Sequence, residues 1–157
     1  MGVGDSYPFH LFFGYPFYEM TDRALEPSGP VLVTGGNGYI ASWLVKRLLE
    51  LGHDVHATVR HGTDPAETSH LEAIAADSPG ALSLYEAELL DPLGFDRAMT
   101  GCEVVFHTAS PVIGRGVRDP MRVLIEPATG GTRNVLEAVN RCPSVRRVVL
   151  TLSLIHI

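Results

Sequence analysis

The chain has 157 residues, 45% of them hydrophobic and 19% charged, the composition of one globular domain able to bury a single core. Its formal net charge of −6 argues against a general nucleic-acid binder or a protein held to anionic membrane. No apolar run is long enough to span a bilayer, and Cys102 and Cys142, far apart and without ligand spacing to histidine, read as two structural thiols of a cytoplasmic protein.

Residues 1–19 differ from the rest. Tyr7, Phe9, Phe12, Phe13, Tyr15, Phe17 and Tyr18 crowd together with Pro8, Pro16 and Gly14, and a basic region, a clean apolar stretch and a cleavage site are all missing, so this is a poor signal peptide. Two readings are open: an aromatic surface for a partner or lipid interface, and translation that begins at Met20 behind mistranslated upstream sequence. The second is preferred, and residues 1–29 are expected to be a non-native or disordered leader.

The first predicted strand, Val31–Thr34, runs straight into a glycine-rich turn and then an amphipathic helix. Gly36, Gly38 and Ala41 fit the G-x-G-x-x-G/A fingerprint of dinucleotide-binding βαβ units, and Gly35, Gly38 and Ala41 equally fit a G-x-x-G-x-x-A variant. In either spacing the glycines let the backbone turn tightly against a pyrophosphate. The helix then aims its unpaired N–H groups and positive dipole end at the phosphates.

That helix is expected from about Tyr39 to Leu51, with Ile40, Trp43, Leu44, Leu48 and Leu51 on one face and Trp43 and the leucines in the core. Gly52 ends it. Asp54–Val59 alternates as a second strand. Asp64-Pro-Ala-Glu67 resembles a helix start with an N-cap aspartate, a proline at the first position and a glutamate at the third, ahead of Leu71, Ile74 and Ala75. Ser78-Pro-Gly80 breaks that helix before a third strand, Ala81–Tyr85. Asp91-Pro92 opens a short helix carrying Phe95 and Met99, and Gly101 closes it.

Glu103–His107 reads as a fourth strand. A helical stretch between Asp119 and Arg141 follows, interrupted near Pro127 and Gly130-Gly131, with Val135, Leu136 and Val139 as its apolar face. The fifth strand, from Arg147, ends at Thr151. Such alternation of strand and helix predicts an α/β fold: a Rossmann-type doubly wound parallel sheet, truncated after the fifth strand, with order 3-2-1-4-5. Ligand is expected across the C-terminal strand ends, at the switch between strands one and four.

The tip of the second strand is informative. NAD enzymes of this type place an acid there, about 20 residues beyond the glycines, for the ribose hydroxyls. Here the tip reads Thr58-Val59-Arg60-His61, with Asp54 at the strand's start and Asp64 past the turn. Arg60 offers a fork of donors suited to a 2′-phosphate, so NADP is favoured, with NAD as the alternative. Glu88-Leu89 stands where an adenine would sit, and Thr108-Ala109-Ser110 supplies the small side chains a coenzyme needs at the end of strand four. His53 and His56, spaced H-x-x-H, lie in a turn and on a strand, and no metal site is expected. His107 reads as a strand-end packing residue.

With these residues assembled, the chain resembles the extended short-chain dehydrogenase/reductase superfamily (the NAD-dependent epimerase/dehydratase family), and within it the dihydroflavonol-reductase-like and cinnamoyl-CoA-reductase-like group. The matching stretches are Val33–Ala41, Ala57–Arg60, Ala87–Leu89, Gly101–Pro111, Gly131–Leu136 and Val145–Thr151, so that residues 30–151 match in order as one NAD(P)-binding domain. The resemblance implies that Gly35, Gly38, Tyr39 and Ile40 contact pyrophosphate and that Arg60 meets the 2′-phosphate. It places Glu88 and Leu89, in the position of an Asp-Leu pair, near adenine, with Thr108, Ala109 and Ser110 beside the coenzyme. The family's second basic contact after the arginine is absent from Gly62–His70, which implies a softer NADP preference.

The family's catalytic set is a serine just past strand five and a tyrosine followed four residues later by lysine, serving NADPH-dependent reduction of a small-molecule carbonyl. No tyrosine here has lysine four residues on, since Lys46 is the only lysine, so no catalytic residue is assigned and this stretch is expected to be inactive. Leu152–Ile157 reads as a translated transposon end from sequencing-library preparation, which implies that the natural protein continues; a genuine stop codon after Ile157 at the locus would refute this. Two rivals are a sugar-nucleotide epimerase or dehydratase of the same superfamily, against which Arg60 speaks, and a non-catalytic dinucleotide sensor. Substrate identity and oligomeric state are not written in these residues.

Overall fold

The structure is a computed structural model and describes residues 28–61, 64–111, 119 and 121–152. The leader expected at 1–29 lies outside the described residues except for Ser28 and Gly29, as does the expected artefact except for Leu152. The elements in chain order are β1 (Val31–Thr34), α1 (Tyr39–Glu50), β2 (Val55–Val59), α2 (Pro65–Ala76), β3 (Leu82–Glu86), α3 (Asp96–Met99), β4 (Val104–His107), α4 (Glu126–Arg141) and β5 (Arg147–Leu150). A single π-helical turn, Met121–Ile125, leads into α4.

All strand pairs are parallel and the order is β3-β2-β1-β4-β5, as the alternation predicts. The sheet is covered on both faces. On one, Val31, Val33, Val55, Ala57 and Val59 pack against Ala41, Val45, Leu48 and Leu49 of α1 and Leu71 of α2. On the other, Leu32 and Val105 pack against Phe95, Ala98 and Met99, with Val135 and Ala138 of α4. Each such valine or leucine, fully removed from water, contributes about 1.5–3 kcal/mol, which is why the central strand β1 is apolar on both faces. The sheet ends at β5, whose Val149 and Leu150 are exposed.

Three local expectations are corrected. Leu48 is buried and Leu44 packs on the core as expected, but Trp43 is 59% exposed, and Ile40 and Leu51 are exposed with it, because α1 turns Ala41, Val45 and Leu49 inward beside Leu48. The face that meets the sheet is rotated from the predicted one, so that Ala41 and Val45 lie against it and Trp43 on the far side. Leu136 is likewise exposed, and Ala138 takes its expected place beside Val135.

The third correction concerns α4, which is continuous through Pro127 and Gly130-Gly131. Pro127 stands in the first α-helical turn, just after the π-helical turn, so the change of helix type falls beside the proline. Gly131 is inside the helix because a Cβ there would stand 2.1 Å from Leu89 Cγ. At α2 the expectation holds in part: Pro65 is the first helical residue, and Asp64 caps the helix by accepting from Ala66 N–H at 2.9 Å. Glu67 does not close the box back onto Asp64, whose N–H donates to the His61 carbonyl.

Candidate functional site

The predicted site residues lie along one rim, the C-terminal ends of β1 to β4. Thr34 ends β1, and the chain turns at once through Gly35, whose φ of +68° is left-handed and suits glycine. The turn is pinned from β2: Gly35 N–H donates to Thr58 Oγ1 at 3.1 Å and Gly36 N–H to the Thr58 carbonyl at 2.8 Å. Gly38 N–H then closes onto the Gly35 carbonyl at 2.9 Å. Gly38 is the residue before α1 and has no side chain to cap it. The backbone N–H groups of Tyr39 and Ile40 are thus left without a capping partner at an exposed helix start, an arrangement that fits an anion of the pyrophosphate kind.

The strand-four loop meets this turn. A Cβ on Gly35 would stand 3.0 Å from Ala109 Cα, so backbone packs on backbone there. Thr34 ties the two together. Its Oγ1 accepts from Thr108 N–H at 3.2 Å and Ala109 N–H at 3.1 Å, and Thr108 Oγ1 donates to the Thr34 carbonyl.

With both lone pairs of Thr34 Oγ1 engaged, its proton goes to His107 Nδ1, 2.8 Å away. That fixes His107 as the neutral tautomer protonated on Nε2, which faces Thr132 Oγ1 of α4 at 3.4 Å. Burial alone holds the imidazole below its ordinary pKa, in keeping with a ring that stays uncharged. His107 is buried as expected, and it also carries a polar network.

Arg60 follows β2 directly, is exposed, and forms no ion pair or side-chain hydrogen bond among the described residues. Glu88 is exposed beyond β3. Leu89 is half-buried, its carbonyl accepting from Asn134 Nδ2 at 3.0 Å and its side chain seated on Gly131. Thr108 and Ala109 are half-buried and Ser110 is exposed. The turn and the strand-four loop are therefore in contact, whereas Arg60 and Glu88 share the rim without touching through a hydrogen bond or ion pair among the described residues. The sequence reading missed Thr34, Thr58, Asn37 and Glu67. The available signal was a hydroxyl residue near each strand end beside the glycines.

Among the described residues no group of three His, Cys, Asp or Glu could hold a metal. His56 Nδ1 contacts the Ala98 carbonyl at 2.7 Å and Cys102 Sγ at 3.4 Å, a pairing made by the sheet and invisible in sequence spacing. Burial, with a lesser push from Cys142, drives the Cys102 thiol up to about 12, so it is not a nucleophile at neutral pH. No helix among the described residues is long and apolar enough to cross a membrane.

Comparison with known proteins gives the same frame. The chain is 48% identical over 124 residues to a cinnamoyl-CoA reductase of Medicago truncatula, covering 79% of this chain and 37% of that protein. In structure it is similar to Gre2 of Candida albicans in complex with NADPH, with TM-score 0.65 and 30% identity, over 77% of this chain and 36% of that one. It is also similar to a UDP-glucose 4-epimerase of Bifidobacterium longum in complex with NAD+ and UDP, with TM-score 0.65 and 25% identity, over 80% of this chain and 37% of that one. The chain thus spans little more than a third of the length of these relatives. A family model matches residues 31–154, the whole run from β1 past β5, and with the parallel sheet and its uncapped glycine turn this makes the chain a member of the NAD dependent epimerase/dehydratase family.

Proposed function

We propose that this chain is the coenzyme-binding part of a reductase that uses NADP(H), with NAD as the alternative, to reduce a small-molecule carbonyl such as an aldehyde, ketone or dihydroflavonol-like compound. The observation that carries the reading is Arg60, an exposed guanidinium without an ion-pair partner among the described residues, at the tip of β2 and beside a glycine turn that opens onto an uncapped helix. When bound, the coenzyme supplies the hydride.

The chain's own residues then have separable roles. Gly35 and Gly38 let backbone approach the pyrophosphate, and the N–H groups of Tyr39 and Ile40 receive it. Arg60 takes the 2′-phosphate through its planar fork of donors. Glu88 and Leu89 border the adenine. Thr108, Ala109 and Ser110 wall the coenzyme at the ends of the neighbouring strands β1 and β4, the switch point of the sheet. The reductase assignment draws on the cinnamoyl-CoA reductase and on the NADPH complex of Gre2.

Without a tyrosine four residues ahead of a lysine, these 157 residues are expected to bind coenzyme and not to turn over. Calorimetric titration of the full-length protein tests the binding. Arg60→Ala should weaken NADP+ about 10-fold or more and leave NAD+ within about 2-fold, in line with loss of a charge-assisted bidentate contact. A coenzyme ratio unmoved by Arg60→Ala refutes the assignment.

A further inference from the structure

Sequence spacing places no acid at the tip of β2, but folding brings one there from another element. Glu67 stands in the first turn of α2, where a capping-box glutamate would return to the Asp64 N–H. Its Oε2 instead accepts from Asn37 Nδ2 at 3.0 Å. Asn37 sits between Gly36 and Gly38 in the phosphate-facing turn, and Gly36 N–H is bonded to the Thr58 carbonyl at 2.8 Å. The carboxylate is thereby held on the glycine turn that is bonded to Thr58, two residues before Arg60. No ion pair joins Glu67 to Arg60 among the described residues, so neither charge cancels the other directly. Asn37 and Glu67 are both half-buried, which leaves the carboxylate less screened than a free surface acid.

We propose that Glu67, latched to the glycine turn by Asn37, is a specificity-determining residue that opposes Arg60 at the coenzyme's 2′ position and lets the site accept NAD as well as NADP. The inference rests on the coenzyme site proposed above. A ribose 2′-hydroxyl can donate to a carboxylate, so Glu67 is an acceptor for NAD. A 2′-phosphate offers only acceptors and about two negative charges, which Arg60 attracts and Glu67 repels. The amide of Asn37 fixes where that charge stands. Specificity at this rim is therefore a difference between two opposed charges, and removing either shifts it in the opposite direction.

The test is the pair of dissociation constants for NADP+ and NAD+, measured by calorimetry on the full-length protein with Glu67 and with Glu67→Gln. Glutamine keeps the size and can still accept from Asn37, so the turn is retained while the charge is lost. Glu67→Gln should tighten NADP+ by about 5- to 10-fold, as expected for a doubly charged group several Å from a partly screened carboxylate. NAD+ should weaken by about 2- to 10-fold, since the one glutamine oxygen stays with Asn37 and the 2′-hydroxyl loses its carboxylate acceptor. If both affinities fall together, Glu67 only supports the turn and the proposal is overturned; an NADP+ to NAD+ ratio unmoved by the substitution overturns it equally. A wild-type protein that takes up neither coenzyme overturns the coenzyme reading and this proposal with it, whereas binding of both with an unmoved ratio overturns this proposal alone.

Discussion

Thr34→Val isolates one hydroxyl at the junction of β1, β4 and the glycine turn. Thr34 is wholly buried, and valine matches its shape, so almost no volume changes. The substitution strips the partner from the Thr108 and Ala109 N–H groups and from His107 Nδ1. A buried polar group left unpaired costs about 1–3 kcal/mol. His107 is fully inside and bears that penalty in full, while the half-buried loop amides can recover water in part. The expected destabilisation is about 2–4 kcal/mol, read as a lower urea midpoint at unchanged slope. Thr34→Ser is the control: it keeps the hydroxyl, loses one methyl and should cost about 1 kcal/mol. If Thr34→Val and Thr34→Ser differ by less than about 0.5 kcal/mol, the hydroxyl does not hold the loop and the tautomer assigned to His107 has no basis.

The same network sets a pH dependence. The His107 pKa is lowered by burial, so the unfolded chain binds a proton at higher pH than the folded one; this share of stability is complete above about pH 6.5 and is lost as pH falls toward the lowered folded value. Denaturant melts from pH 7.5 to 5 should show that slope reduced in His107→Asn, and equal slopes in the two proteins refute the link. At the other seam, Gly131→Ala should destabilise by about 1–3 kcal/mol through overpacking against Leu89, as its Cβ would fall 2.1 Å from Leu89 Cγ. Thermal melts check this. Leu89→Ala combined with Gly131→Ala should recover part of the loss, since it removes the clash, and strict additivity of the two costs would count against it.

How much was legible in the sequence follows from how local each signal is. The strand ending at Thr34, the turn at Gly35, the cap at Asp64 and the parallel order 3-2-1-4-5 depend on short-range spacing and on the handedness of βαβ units, and they could be read directly. Periodicity located α1 but misjudged its buried side. A helical wheel finds Leu44 and Leu48, whereas the packing of helix on sheet adds Ala41, Val45 and Leu49 and leaves Trp43 outside. Gly130-Gly131 looked like a break because glycine weakens an isolated helix; Leu89, 42 positions away, is what requires it there.

By itself, then, the sequence determined a parallel α/β sheet, a dinucleotide-type turn and a basic residue at the tip of β2. Each is a property of one contiguous segment. Tertiary structure alone decided that Thr34 and His107 form one network, that His56 lies against Cys102, and that Glu67 abandons its own helix cap for Asn37. Those partners are 30 to 73 positions apart, and a side chain chooses between a local and a distant partner only when packing has placed both within reach.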